Sequence, residues 1–209
     1  MSLFRPTALG SYIRNLVCAA GMLLVLLSLW SASAMASTVD SEKAACPGQT
    51  FSQPFEEFGD SAWYTLVEGS EFNGVAEGWE LSGGAAVVEG VRPDGSTGGV
   101  LSLPSGAVAV SPAVCVTLDY PKARTWVDSV DGGGGVTVEL VYPEHPEGVA
   151  TGRLSDKSAS HWTLSRQFNV KPQLAGGKEG VREVRFVYAN NTKSSDFRVW
   201  GLFVDPWMR

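Results

Sequence analysis

G-S-E-F-N-G-V-A-E-G-W-E-L-S-G-G-A-A-V-V-E-G, from Gly69 to Gly90, decides the fold class. Its middle, Gly78-Trp79-Glu80-Leu81-Ser82-Gly83-Gly84, reads as a short strand ending in a tight Gly-Gly turn. Ala85-Ala86-Val87-Val88 reads as the second strand of that hairpin. A tryptophan on one strand and small apolar residues on its partner suit the two leaves of a β-sandwich core.

The same grammar of short strand, glycine turn and short strand continues to the C-terminus. Strands are expected at 61–67, 100–103, 124–130, 136–142, 161–168, 184–188 and 197–204, with one or two more in 107–118, broken at Ser111-Pro112. In 136–142, Val136, Val138, Leu140 and Tyr142 share one face, with Thr137 and Glu139 opposite, the period-two pattern of a half-buried strand. The glycines at 132–135 read as a hairpin turn, and 184–188 with 197–204 as a final pair joined by the turn-rich loop 190–196. Before the first strand, Pro47 and Pro54 forbid a regular helix or central strand. Phe51, Phe55 and Phe58 imply that this irregular segment still packs along the sandwich edge. A short helical turn is compatible with 56–62 or 172–178. Short strands at regular spacing without a helical period give an all-β chain, a two-sheet antiparallel jelly-roll β-sandwich.

Residues 1–36 have the pattern of a cleaved secretory signal peptide. Arg5 and Arg14 precede an apolar run from Leu16 to Trp30, and small residues with Ala34-Met35-Ala36 follow. The apolar run is shorter than the roughly 20 residues of a bilayer span, so no membrane span is expected after cleavage. Residues 37–45 read as a flexible linker, and 46–209 as a single sandwich domain. The leader holds two arginines and no acid. The remaining chain of 173 residues, with 22 acidic and 14 basic, therefore carries a net charge of −8. An acidic chain with scattered basic residues is a poor candidate for nucleic acid or an anionic membrane, so no nucleic-acid partner is expected. Export makes Cys46 and Cys115 a disulfide pair closing a loop of about 70 residues. The alternatives, free thiols or metal ligands, find no neighbouring Cys or His in the sequence.

With Phe72, G-W-x-L-S-G-G-A at 78–85 and V-D-P at 204–206, the chain resembles galactose-binding-like jelly rolls. It is similar in particular to a group of secreted actinobacterial proteins built on that fold. The resemblance spans about Cys46 to Trp207 and implies a carbohydrate-binding-module-like fold, with aromatics on a sheet or in loops gripping sugar. It also implies a structural calcium. The last strand lacks the usual Asp pair and has Val199-Trp200-Gly201-Leu202 there, which leaves Glu71 and Asp205 as calcium candidates. No other metal and no cofactor is expected.

Signals for catalysis are thin. His145 lies in a loop-like Y-P-E-H-P-E, His161 opens a strand, and no G-x-S-x-G elbow is present. The carboxylate pairs Glu56-Glu57, Glu77 with Glu80, and Asp128 with Asp131 flank turns or point apart. Aromatic supply is the stronger lead, since flat rings stack on the apolar faces of sugars. Trp79 alternates with glycines and belongs in the core. Trp126 shares a strand face with Arg124 and Asp128, while Trp200 stands beside Arg198 and opposite Phe197, Val199 and Phe203. Trp126, Trp200 and Tyr142, with Arg124 and Arg198 as donors, form the candidate sugar platform, although each ring also suits a core position. The resulting expectation is a secreted or envelope-associated, non-catalytic module that binds an extracellular or cell-envelope carbohydrate. The competing readings are a structural or protein-interaction module of the cell surface, with an exposed apolar patch, and a hydrolase with a converging acidic pair.

Overall fold

A computed structural model describes residues 48–131, 133–154, 161–176 and 180–206, all within one unit, Lys43–Arg209. The signal peptide, the linker, Cys46 and Trp207 lie outside the described residues. The chain runs β1 (Phe51–Ser52), β2 (Tyr64–Leu66), β3 (Glu80–Ser82), β4 (Ala86–Val91), β5 (Thr97–Leu103), β6 (Val108–Val110) and β7 (Val114–Val116). It continues with β8 (Lys122–Ser129), β9 (Val136–Tyr142), β10 (His145–Leu154), β11 (Thr163–Leu164), β12 (Phe168–Asn169), β13 (Arg182–Ala189) and β14 (Phe197–Asp205). Two 3-10 turns, Glu56–Phe58 and Pro172–Ala175, fall where short helical turns were expected.

All strand pairs are antiparallel and build two sheets, as expected for a jelly-roll sandwich. In the eight-stranded sheet β14 is central. It pairs with β8 along one side and with β5 and then β2 along the other, while β11 and β12 edge β8. In the six-stranded sheet β13 is central, between β9 on one side and β6 and β7 on the other.

The core lies between the sheets because each strand alternates. On β9 the four residues Val136, Val138, Leu140 and Tyr142 are buried, and the three between them are half-buried. Phe186 and Tyr188 of β13 face Leu101, Val127, Val199 and Leu202 of the larger sheet within one cluster. Trp79 belongs to this core. Its indole stacks on Tyr188 at 5.9 Å and donates from Nε1 to the Glu68 carbonyl at 3.2 Å.

Three links expected as hairpins instead carry the chain between sheets. β3 pairs with β6, and β4 pairs with β5 in the opposite sheet, so the turn at Gly83-Gly84 is an arch. The Ala85 N–H closes it on the Ser82 carbonyl at 3.0 Å. Gly83 has φ +61°, and a Cβ there would meet the Gly106 carbonyl oxygen at 2.2 Å. The links from β8 to β9 and from β13 to β14 cross in the same way. The second crossing is held by buried Asn190, whose Nδ2 donates to the carbonyls of Leu103 at 2.8 Å and Ser195 at 2.7 Å. Turn residues mark where a strand stops. The next strand's partner is set by long-range burial, which local spacing does not encode.

Two smaller differences matter for the site. His145 opens β10 opposite Tyr142 rather than sitting in a loop. The strand expected over 161–168 is split into β11 and β12, because Ser165 is locked onto β8. The Ser165 N–H donates to the Thr125 carbonyl at 2.9 Å, and the Thr125 N–H donates to Ser165 Oγ at 3.0 Å. Arg166 and Gln167, next in the chain, are exposed.

Candidate functional site: an aromatic-walled cleft on the outer face of the larger sheet

The site begins with a bulge. In β14, Trp200 pairs with Trp126 and Leu202 with Thr125, so Gly201 is the extra residue, at φ +65°. A glycine in the left-handed region is the natural choice for such a bulge. It reverses the alternation. Phe197 and Val199 point into the core before it, and Leu202 and Val204 after it. Phe203 therefore does not share a face with Phe197 and Val199. It joins Trp200 on the outer face, with ring centroids 6.3 Å apart. Opposite them on β8 lie Lys122, Arg124 and Trp126, so two adjacent strands present one mixed aromatic and charged surface.

The segment before β2 folds over this surface. Phe55, Tyr64 and Phe203 form a second, smaller core, with Trp126 and Trp200 packed against it. Phe55 meets Tyr64 at 5.1 Å and Phe203 at 4.9 Å, both edge to face. Phe58, at the end of the first 3-10 turn, meets Trp126 edge to face at 5.4 Å. Trp126 is thus half-covered by residues that the sequence pattern assigns to the sandwich edge.

Asp60 is the polar knot of this arrangement. Its Oδ2 accepts from Arg124 Nη1 at 2.7 Å, the Tyr64 hydroxyl at 2.8 Å and Gln167 Nε2 at 3.0 Å. Its Oδ1 accepts from the Ala62 N–H at 3.2 Å. Burial pushes the carboxyl group's pKa up. The hydrogen bonds from Tyr64 and Arg124, helped by Ala62 and Gln167, outweigh it and hold the pKa below the usual carboxylate value. Burial, reinforced by the Asp60 carboxylate, pushes the Tyr64 phenol well above its ordinary value, so it stays a donor.

Around this knot opens a cleft of about 710 Å³. Phe58, Trp63, Lys122, Arg124, Arg166 and Gln167 line it, together with Asp60 and Asp205. Phe58 is 50% and Trp63 45% exposed, high values for rings of that size. The cleft therefore offers bare aromatic surface beside an array of donors and acceptors fixed by one another. That combination is chemically suited to a flat, hydroxyl-rimmed ligand.

Four residues of the sequence-derived platform share the outer face: Arg124, Trp126, Arg198 and Trp200. Arg124 lines the cleft and Trp126 lies beneath Phe58. Trp200 is placed farther along the sheet. Its Nε1 donates to the Glu71 carbonyl at 3.2 Å, and the Arg92 guanidinium lies 5.9 Å over its ring. Arg198 lies 3.8 Å from Asp128 at the end of the row. Tyr142 is a correction. It sits in β9 of the other sheet, 0% exposed, because the alternation that buries Val138 and Leu140 buries it too.

The calcium candidates are not neighbours. Glu71 lies beside Trp200, and Asp205 is five residues on along β14, about 16 Å at the rise of a strand. Among the described residues no three His, Cys, Asp or Glu side chains converge as a metal site. Glu80 is engaged by Arg185 at 2.7 Å, Asp128 is buried near Arg198, and Glu56 and Glu57 are exposed on the 3-10 turn. His145 Nδ1 lies 3.1 Å from Glu147 on the surface. Sequence reasoning missed Phe58, Asp60, Trp63 and Gln167. An available signal was F-G-D-S-A-W at 58–63, an aromatic and an acid in a turn leading to a second aromatic.

No family model and no curated protein matches the chain. Among solved structures it is similar to a family 6 carbohydrate-binding module from Clostridium cellulolyticum in complex with xylose. The identity is 15% over 66% of this chain and 95% of that one, with a TM-score of 0.41. It is also similar to a xylan-binding module, CBM15, at 12% identity, 68% and 95% coverage and a TM-score of 0.46. A third is the K1 cleaved adhesin domain of Lys-gingipain from Porphyromonas gingivalis, at 13%, 67% and 97%, with a TM-score of 0.45. Likeness at this level assigns neither a ligand nor a residue to this chain.

Proposed function

We propose that the protein is an exported, non-catalytic carbohydrate-recognition module that holds an extracellular or envelope glycan in the cleft between Trp63 and Arg166. The observation that carries this reading is the pairing of bare Phe58 and Trp63 rings with the Asp60–Arg124–Gln167 knot. A pyranose has one apolar face and a rim of hydroxyls. Rings stack on the first, and prearranged charged and amide groups hydrogen-bond the second without a further ordering cost. Arg124 keeps the role expected from sequence, Trp126 supports Phe58 from below, and Trp200 and Arg198 lie outside the cleft.

Asp60 speaks against acid catalysis. A general acid needs a raised pKa and a free proton, whereas this carboxylate is held ionised by four donors. Export rests on the leader-like residues 1–36, and among the described residues no helix is long and apolar enough to cross a membrane. The Cys46–Cys115 disulfide is part of the same reading. Gln49, three residues after Cys46 in the sequence, donates its Nε2 to the Cys115 carbonyl at 2.9 Å, which supports the pairing.

The test is a glycan array that includes cell-envelope polysaccharides, probed with the exported protein in calcium and in chelator. Selective binding is expected and should survive chelation. Uniform absence of binding overturns the reading.

A further inference from the structure

The cleft does not end at Arg166. Arg166 and Gln167 also line a second depression of about 450 Å³, whose far side includes Thr151 and Arg153 of β10. The split between β11 and β12 creates this shared wall, because Ser165 is tied to Thr125 and the next two residues turn outward.

Basic residues outnumber acidic ones among the described residues that line the two depressions. Lys122, Arg124, Arg166 and Arg153 line them, against two acids, Asp60 and Asp205. Asp60 is consumed by Arg124, and Asp205 faces Lys122 across the β14–β8 register. Arg166 and Arg153 are exposed, and neither has an ion-pair or hydrogen-bond partner among the described residues. Among the described residues the second depression has no acid in its lining. Two exposed guanidiniums without an ion-pair partner among the described residues, on linings that share Arg166 and Gln167 with the aromatic cleft, suit a ligand with repeated negative charge.

We infer that the two depressions are one groove for an anionic polysaccharide, a chain bearing a carboxylate on successive sugars, as in a polyuronate. This rests on the carbohydrate reading above and adds the class of glycan and the length of chain bound. Arg166 sits at the junction and takes a carboxylate in bidentate fashion, and Arg153 takes the carboxylate of a sugar farther along.

Calorimetry with the exported protein tests it, using a hexameric oligogalacturonate, its trimer, a neutral galacto-oligosaccharide hexamer and a sulfated neutral hexamer. The uronate hexamer is expected to bind at least about tenfold tighter than the neutral one, and tighter than the trimer. Raising the salt should erode that advantage. Arg153→Gln, outside the first cleft, should cost the uronate hexamer severalfold and leave neutral-sugar binding unchanged, and adding Arg166→Gln should bring the uronate loss to about tenfold. Equal binding of neutral and uronate hexamers, unaffected by the substitutions, overturns the anionic groove while the carbohydrate reading stands. Preference for the sulfated hexamer overturns the carboxylate assignment. Binding of none of the four overturns the groove, and with an empty glycan array it overturns both readings.

Discussion

Arg124 Nη1 lies 2.7 Å from Oδ2 of Asp60, and the two side chains are only 14% and 11% exposed. The contact joins β8 to the irregular segment before β2, and Gln167 brings in the β11–β12 link through the same oxygen. Three stretches far apart in the chain thus meet on one carboxylate. Removing that carboxylate takes the counter-ion from Arg124, which keeps only its Ser165 carbonyl, and an acceptor from Gln167 and the Tyr64 hydroxyl, which keep only each other. Asp60→Ala is expected to cost about 2–3 kcal/mol, read as a lower urea midpoint at unchanged slope.

The same contact predicts an acid-sensitive component of stability. The folded pKa of Asp60 lies below its ordinary value of 3.8, so the ionised form favours the native state. Its contribution is complete above the unfolded pKa, near 4, and is lost as pH falls through the lower folded value. The stability gap between the native protein and Asp60→Asn should be constant from neutral pH to about 5 and close below about 4. A gap that does not narrow in acid contradicts this role.

Gly201 sets which face Trp200 and Phe203 occupy. A Cβ there would meet Cε2 of the buried Phe203 ring at 2.5 Å, on a backbone at φ +65°. Gly201→Ala should cost about 2 kcal/mol and weaken the near-ultraviolet dichroism of the packed aromatics. Thermal unfolding and a dichroism spectrum check both expectations.

The sandwich was legible because alternation and glycine turns report burial directly, as Val136 to Tyr142 demonstrates. Trp79 could be placed in the core for the same reason. Arches could not be told from hairpins, since β3 and β4 are adjacent in sequence but pair in different sheets, β3 with β6 and β4 with β5. The site was half legible. Arg124 and Trp126 follow from the period of β8, and the separate period of β9 places Tyr142 on that strand's apolar face beside Val138 and Leu140. The parity change at Gly201 and the fold-over of Phe55 and Phe58 depend on tertiary packing, so Phe203 was put on the wrong face and the cleft went unseen.

The Cys46–Cys115 bond gives a separate prediction. The exported protein should be lighter than its reduced form by two hydrogen atoms and resist alkylation until it is denatured and reduced. A loop of about 70 residues gives roughly 4 kcal/mol in the chain-entropy model, so reduction should lower the melting temperature clearly. Free alkylation of Cys115 in the native exported protein contradicts the pairing.

The most direct test of carbohydrate recognition compares the exported protein with its Trp63→Ala variant on the glycan that the native protein binds. Trp63 is 45% exposed, so the variant should stay folded and lose less than about 1 kcal/mol of stability. It is expected to lose at least about tenfold in affinity, because the stacking ring is gone. Unchanged affinity in a folded Trp63→Ala protein would place the ligand elsewhere and contradict the cleft as the binding site.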